Sequence, residues 1–152
     1  MPKSPDRAAA PASLHMLKLC VGATGVEDLI AWQDLHRHRR RDGNLVHVTR
    51  MWPKRSAELL AGGSLYWVFK GVILARQKLV GFEEQIGADG IRRCALVLAP
   101  DVIRTEAAPR RPFQGWRYLP GTDAPRDLPA TRADEPELPH DLAAALADLG
   151  LR

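Results

Sequence analysis

The sequence predicts an α+β protein built on a small antiparallel, partly open β-barrel with two or three flanking helices. Two strand-like runs near the start are each followed by a helix-like stretch, and five strand-like runs then follow one another without a helix between them. Consecutive antiparallel strands with helices at their edges are typical of the α+β class. Curling such a sheet into a barrel protects its edges. The 152 residues are 45% hydrophobic, which is enough for one core.

The first part of the chain alternates strand and helix. Residues 14–21 form the first predicted strand, and residues 24–27 (Thr-Gly-Val-Glu) have the form of a helix capping box. An amphipathic pattern predicts a helix over residues 26–39. A second strand is expected at 45–51, and a short helix is expected from Pro53 to Leu60, because proline is favoured at the first helical position.

The second part of the chain predicts strands and turns. β-Branched and aromatic residues dominate these runs, and Gly87–Gly90 has the composition of a hairpin turn. The predicted strands are residues 65–69, 72–84, 91–98, 101–106 and 116–119.

Charge and proline content divide the chain into three regions. Residues 1–13 are expected to be a disordered leader, 14–120 a single α+β domain, and 121–152 a proline-rich acidic tail that ends in a short helix near 138–151. The net charge is +8 over residues 1–120 and −4 over residues 121–152. A basic body favours polyanions as partners.

Several classes of protein have no support in the sequence. No apolar run reaches the length of a membrane span and no secretory signal begins the chain, so no membrane partner and a cytoplasmic location are expected. Cys20 and Cys94 lie in strand-like runs and predict reduced core cysteines. His36 and His38 would point to different sides of a helix, and nucleotide-binding motifs are absent. We therefore expect no metal and no cofactor.

Two basic, aromatic segments are the candidate binding residues. The first follows the second strand (residues 49–55), and the second (residues 109–118) alternates arginines with rings. Arginine and lysine suit phosphate, and exposed rings can stack on bases. The alternative is a structural role, in which the rings pack into the core or belong to a segment that wraps around the barrel. The predicted nucleic-acid-binding residues are Arg50, Trp52, Lys54, Arg55, Arg110, Arg111, Trp116, Arg117 and Tyr118.

Three stretches carry a family resemblance. Residues 45–55, 62–71 and 111–119 are similar to a bacterial family catalogued as domain of unknown function 1489, and the likeness spans about residues 14–128. That family carries no established activity. The order of strands and helices, with the Gly-Gly pair before a strand, also resembles the PUA/ASCH group of small RNA-associated barrels.

The second resemblance implies two functions. Some PUA/ASCH members bind RNA, which makes an RNA-binding module the leading hypothesis. A few act as small amidohydrolases on modified nucleosides with a Lys, a Thr and a Glu around the cleft. The resemblance implies Thr49, Lys54 and either Glu83 or Glu84 in those catalytic roles. A protein-interaction domain with an apolar aromatic patch is the third hypothesis.

Overall fold

The computed structural model describes residues 13–36, 43–111 and 113–129. Within these residues the chain forms seven strands, two α-helices and one 3₁₀ turn at Gly121–Asp123. The helices are α1 (Val26–His36) and α2 (Ser56–Leu60). The strands are β1 (Leu14–Leu19), β2 (Leu45–Thr49), β3 (Ser64–Phe69), β4 (Val72–Ile86), β5 (Arg92–Leu98), β6 (Ile103–Pro109) and β7 (Trp116–Pro120).

All seven strands belong to one sheet with the order β2-β5-β4-β3-β1-β7, and β6 pairs with β4 outside this path. The α+β prediction is confirmed, and the sheet is not closed. The purely antiparallel arrangement is wrong at one place, because β1 and β3 are parallel. The connection between them contains α1, β2 and α2, and such a crossover returns the chain in the same direction. The leader up to residue 12 and the helix predicted near 138–151 lie outside the described residues.

The two faces of the sheet carry separate apolar clusters. The larger cluster lies on the face that we call the inner face, where Leu14 and Met16 of β1 meet Val26 and Leu29 of α1 and Leu59 of α2. The smaller cluster lies on the outer face, with Leu17, Tyr66, Val68, Ile73, Ala108 and Leu119. Alternation along β1 sends even-numbered side chains inward and odd-numbered ones outward. The buried positions of β1 follow this alternation.

Strand β4 is 15 residues long and serves both halves of the sheet. Its first half pairs with β3 and β6, and its second half pairs with β5. The register shifts between Leu79 and Gly81, where the strand passes from one partner to the other. The tight turn before β4 uses Lys70 and Gly71 at φ 49° and 87°, as a two-residue hairpin requires.

The chain remains attached to the sheet beyond the domain boundary predicted at residue 120. The Arg76 guanidinium donates two hydrogen bonds, of 2.8 and 2.7 Å, to the Asp127 carboxylate. The backbone N–H of Glu106 donates to the carbonyl of Arg126, and that of Leu128 donates to the carbonyl of Arg104. Residues 121–129 therefore act as part of the folded unit.

Gly63 lies at the tightest backbone contact between α2 and β1. A Cβ atom there would lie 2.6 Å from the Leu14 carbonyl oxygen and closer still to that of Leu59. Both neighbours are backbone atoms, so relief would require the helix and the strand to separate. We expect Gly63→Ala to lower the free energy of unfolding by about 2–3 kcal/mol in urea titrations.

Gly81→Ala is the matched control for this substitution. A Cβ atom at Gly81 meets nothing within 4 Å, and we expect a change within about 0.5 kcal/mol. Equal effects of the two substitutions would show that the close approach at Gly63 does not determine stability.

Candidate functional site

The two segments predicted as a binding surface contact each other at β7, which is one edge of the open sheet. Residues 50–55, which we call the bridging segment, leave β2 and cross the inner side of β7. The Trp116 Nε1 donates a 2.9 Å hydrogen bond to the Met51 carbonyl, and the backbone N–H of Arg55 donates to the Tyr118 hydroxyl at 3.2 Å. Side chains of β7 therefore hold a segment that is more than 60 residues away in the chain.

The bridging segment presents three cations. Arg50 and Lys54 are exposed, and neither has an ion pair or hydrogen bond within the described part of the chain. Arg55 is exposed too, but its guanidinium pairs with Glu58 at 2.5 Å and lies 5.5 Å from the Tyr118 ring centroid. Arg50 and Lys54 are therefore the charges of this segment that a ligand can use without breaking an existing pair.

The aromatic rings of this region differ in their exposure. Trp116 is only 5% exposed and Trp67 only 3%, so both act as packing residues and neither can stack on a base. Trp52 is half-buried, and the Arg92 guanidinium lies 4.6 Å from its ring centroid. Tyr118 is half-buried as well. The stacking role predicted for Trp116 therefore does not fit its position, and Trp52 and Tyr118 remain as candidates.

The second predicted segment does not join the bridging segment as a whole. Arg110 hydrogen-bonds to the carbonyl oxygens of Pro109 and Asp123 at 2.8 and 3.1 Å, on the side of the outer cluster. Arg117 follows Trp116 and so faces away from the inner side, with its guanidinium 5.7 Å from the Phe113 ring centroid. Arg111 is exposed. The predicted residues thus fall into two groups, one on each side of β7.

The catalytic constellation suggested by the second resemblance does not assemble. Thr49 and Glu84 pair with opposite sides of Cys94, which places their backbones two strand spacings, or about 10 Å, apart. The Thr49 hydroxyl donates to the Met51 carbonyl, and Glu84 forms an ion pair with Arg92. A nucleophile and its base need direct hydrogen-bond contact.

The other two candidates, Glu83 and Lys54, do not complete a catalytic site. Glu83 precedes Glu84 in β4, so its side chain projects to the opposite face of the strand. Lys54 lies in the bridging segment, beyond the end of β2. The geometry gives these four residues no shared site.

A cavity that the sequence did not reveal lies between α1 and the inner face. Its volume is about 450 Å³, and its walls come from the β1–α1 loop, α1, β2, β3 and the end of β5. The lining side chains include Cys20, Asp28, Trp32, Gln33, His47 and Trp67. Alternation could have indicated part of it, because Lys18 continues the inward positions of Leu14 and Met16. Likewise, His47 shares the inward side of β2 with Leu45.

Lys18 is a cation near this cavity, but it is not one of the lining residues, whose one ionised side chain is Asp28. It is in register with Trp67 on β3 and with Trp116 on β7, so its stem lies between two buried indoles. The residue is half-buried, and burial lowers the pKa of its ammonium group. Among the described residues, no carboxylate forms an ion pair with it. A desolvated cation without a counter-charge is unfavourable.

Two groups near Lys18, the His47 ring and the Cys20 thiol, are uncharged at neutral pH. Burial, and then the charge of Lys18, lowers the pKa of His47 to about 4. Burial, and then the carboxylate of Asp28, raises the pKa of the Cys20 thiol to about 12. The prediction of reduced cysteines agrees with the structure, in which both are free; Cys94 is buried and Cys20 half-buried. The thiol of Cys20 is therefore a protonated wall group and not a nucleophile.

An acidic residue in the first turn of α1 binds the loop that precedes the helix. The Asp28 carboxylate accepts hydrogen bonds from the backbone N–H of Thr24 at 3.0 Å and from its hydroxyl at 2.8 Å. The capping box was predicted with Glu27, which instead lies 3.9 Å from Arg104. This difference matters for binding, because the positive end of a helix is a common anion site and here the Asp28 carboxylate places a negative charge in the first turn.

A buried amide network supports the cavity floor. Gln33 and Gln77 exchange hydrogen bonds of 2.7 and 2.9 Å. Gln77 also accepts from Trp67 Nε1 at 2.9 Å and donates to the Ala99 carbonyl at 3.0 Å. The network fixes the Trp67 ring. The His47 ring lies perpendicular to it, with the two ring centroids 5.2 Å apart. The His47 Nε2 atom is buried without a hydrogen-bond partner in the described structure.

Two further observations concern metals and membranes. The described residues contain no cluster of three or more His, Cys, Asp or Glu side chains placed to bind a metal ion. Neither helix within the described ranges has the length and apolar character needed to cross a membrane.

These features define a mixed α+β protein with an open sheet, a basic bridging segment and an aromatic cavity. The chain matches the family described as protein of unknown function (DUF1489) over residues 16–152, and it belongs to that family. The family resemblance predicted from the sequence is thus confirmed. No curated protein matches the chain. No solved structure matches it either.

Proposed function

We propose that this protein binds single-stranded nucleic acid, with a preference for RNA, through the bridging segment and the adjoining end of β7. The observation that carries the proposal is the contact between the basic bridging segment and the aromatic side chains of β7, Trp116 and Tyr118. Arg50 and Lys54 have no ion-pair partner among the described residues, and they lie in the same segment as the half-buried ring of Trp52. Cations beside accessible rings are the pattern of single-strand sites.

The local electrostatics favour a polyanion. Arg55 and Arg92 each lie near an aromatic ring, and each is paired with one carboxylate, Glu58 and Glu84 respectively. Arg50 and Lys54 add charge that no described carboxylate neutralises. Phosphate groups would supply the missing counter-charge and release bound counterions, which makes such binding strongly dependent on salt.

The choice of RNA rests on the layout of the domain. An open, mostly antiparallel sheet with two helices is similar to the PUA/ASCH group, and a PUA-like assignment is part of this proposal. A nucleic-acid ligand would place the protein in the cytoplasm. The amidohydrolase alternative gains no support, because its four candidate residues share no site.

Binding should weaken when the unpaired cations are removed. We expect Arg50→Ala combined with Lys54→Ala to weaken binding of a labelled single-stranded RNA about tenfold or more at moderate salt. The slope of log K against log salt should become shallower by about 1.4, because two phosphate contacts are lost. Fluorescence anisotropy at several salt concentrations measures both quantities, and a DNA strand of the same sequence tests the preference for RNA.

Lys78→Ala is the matched control. Lys78 is exposed on β4, and it faces the outer side of the sheet because its neighbour Gln77 faces the inner side. This variant should bind like the parent chain. Arg111→Ala reports separately on the second group of cations. Unchanged affinity and salt slope in the double variant would refute the proposed surface, and absence of binding by the parent chain at low salt would refute the function.

A further inference from the structure

We propose that the inner cavity binds a small arylalkylamine, a flat aromatic ring joined by a short chain to one ammonium group. The ring packs among the buried walls, and the ammonium lies beside Asp28 and Trp32 at the opening. This inference does not depend on nucleic-acid binding, because the lining of the cavity and the bridging segment share no residue.

The cavity is apolar at its floor and open to solvent at one end. Its volume of about 450 Å³ lies within the usual range for small-molecule sites, about 300–1,000 Å³. The floor consists of side chains that are each at most 5% exposed, namely Leu29, Leu45, Trp67 and Leu98. Val21 is 86% exposed and Trp32 53%, so the cavity opens at the β1–α1 loop and the outer side of α1. A ligand can therefore bury an apolar group and keep a charged group close to water.

The buried walls suit an aromatic ring. The Trp67 indole is held by its hydrogen bond to Gln77, and the His47 ring lies perpendicular to it. The Gln33 amide, which also lines the cavity, is already bonded to Gln77. His47 is neutral at physiological pH, because burial is the main cause that lowers its pKa to about 4. These walls offer rings and apolar side chains without a charge, and a third ring gains from packing against them.

A carboxylate and an indole lie side by side at the opening. Asp28 and Trp32 both line the cavity, and they are four residues apart in α1, which makes them neighbours on one face of the helix. The His36 ring, one turn further on, stacks on the Trp32 ring with the centroids 3.9 Å apart. This stack restricts the rotation of the indole. An ammonium group near Asp28 and Trp32 would be attracted by both, through an ion pair and a cation–π contact.

Asp28 is able to take part in such a pair. Hydrogen bonds from Thr24, and to a lesser extent from the backbone of Gly25, lower the pKa of the Asp28 carboxyl group, so it is ionised at neutral pH. A carboxylate has about four acceptor positions, so these bonds leave room for an N–H of the ligand. The bonds to Thr24 also fix the carboxylate in place.

The charges around the cavity favour an ammonium over a carboxylate. Asp28 is the one ionised side chain among the lining residues. After burial, its carboxylate is the next largest influence on the raised pKa of Cys20, ahead of the opposing charge of Lys18. Lys18 lies outside the lining, and its charge acts on His47 at the wall formed by β2. Negative charge therefore dominates at the β1–α1 loop, where the cavity opens.

Isothermal titration of the full chain with three matched probes tests the site. Tryptamine, tryptophol and indole-3-propionate carry the same ring on a two-carbon chain, with charges of about +1, 0 and −1 near neutral pH. We expect tryptamine to bind about tenfold more tightly than tryptophol, because an exposed ion pair and a cation–π contact each contribute about threefold. Indole-3-propionate should bind more weakly than tryptophol.

Two variants separate the carboxylate from the indole. Asp28→Asn keeps an oxygen that can accept the Thr24 bonds and removes the charge, so the affinity ratio of tryptamine to tryptophol should fall about threefold. Trp32→Leu keeps an apolar contact at the opening and removes the ring, so the same ratio should also fall about threefold. Asp123→Asn is the charge control and should bind like the parent, since Asp123 is exposed near Arg110 on the outer side. Circular dichroism and urea unfolding establish that each variant is folded.

Each outcome decides one part of the inference. No binding of tryptamine at millimolar concentration would overturn the site. Binding of tryptophol or indole-3-propionate as tight as that of tryptamine would overturn the choice of an ammonium. An unchanged ratio in folded Asp28→Asn would overturn the pairing with Asp28, and an unchanged ratio in folded Trp32→Leu would overturn the contact with the indole.

The two proposals fail separately. The variant that combines Arg50→Ala with Lys54→Ala should bind tryptamine like the parent chain, and Asp28→Asn should bind labelled RNA like the parent chain. Loss of tryptamine binding in the double variant would overturn the separation of the cavity from the bridging segment.

Discussion

Acidification from pH 7 to pH 5 is expected to destabilise the fold, and replacement of His47 is expected to remove most of that loss. Burial is the main cause that lowers the pKa of His47, from 6.5 to about 4. The unfolded chain takes up a proton near pH 6.5, whereas the folded chain resists protonation until about pH 4. Between these values the unfolded state binds more protons, so a fall in pH favours unfolding.

The size of this effect follows from the shift in pKa. The stabilisation is fully present above pH 6.5 and is lost as the pH falls to about 4. The full loss is about 3 kcal/mol, and about 2 kcal/mol of it falls above pH 5. His15 contributes in the same direction, because burial and then the Arg76 charge lower its pKa as well.

His47→Phe separates this contribution from the rest. The ring size is kept, and the Nε2 atom that lacks a partner is removed, so the variant should be at least as stable as the parent at pH 7. Urea unfolding at pH 7, 6 and 5 should show a much flatter dependence on pH for the variant. If the parent and the variant lose stability in parallel, His47 is not the group that titrates.

Gln77→Leu is expected to destabilise the protein by about 3 kcal/mol or more, since it leaves several buried groups without partners. Trp67 Nε1 loses its acceptor, the Gln33 amide loses its partner, and the Ala99 carbonyl loses a donor. Gln77 is fully buried, so water cannot replace these bonds without opening the core. The free energy of unfolding in urea measures the effect.

Two further variants make this prediction specific. Gln85→Leu, at an exposed position of the same strand, should change stability by less than about 0.5 kcal/mol. Gln33→Leu combined with Gln77→Leu should be more stable than the sum of the two single changes predicts, because removing both amides leaves fewer polar groups unpaired. Strict additivity would contradict the network as a cooperative unit.

Local patterns predicted most of the elements of this fold. Alternation along β1 and the composition of the later strands placed each strand to within a few residues. The parallel pairing of β1 with β3 was not predicted, because nothing in either strand encodes the direction of its neighbour. Pairing direction depends on the whole connection, which here carries two helices and β2.

The candidate site was predicted only in part, for a similar reason. The cations and rings of residues 50–55 and 116–118 are visible as a local pattern, and the structure brings those two stretches together. The burial of Trp116 and the separation of Arg110 from the bridging segment depend on which face of β7 each side chain occupies. The cavity beside Lys18 and His47 joins residues from four elements, so no single stretch of sequence indicates it.

The long strand β4 has a consequence for how the protein unfolds. Because β4 pairs with β3 and β6 in its first half and with β5 in its second half, neither half of the sheet has a complete set of strands without it. Separating one half of the sheet would break the backbone hydrogen bonds that it makes with β4, and β4 is also part of the other half. The domain is therefore built as one cooperative unit, in which the cavity and the bridging segment are lost together in a single transition.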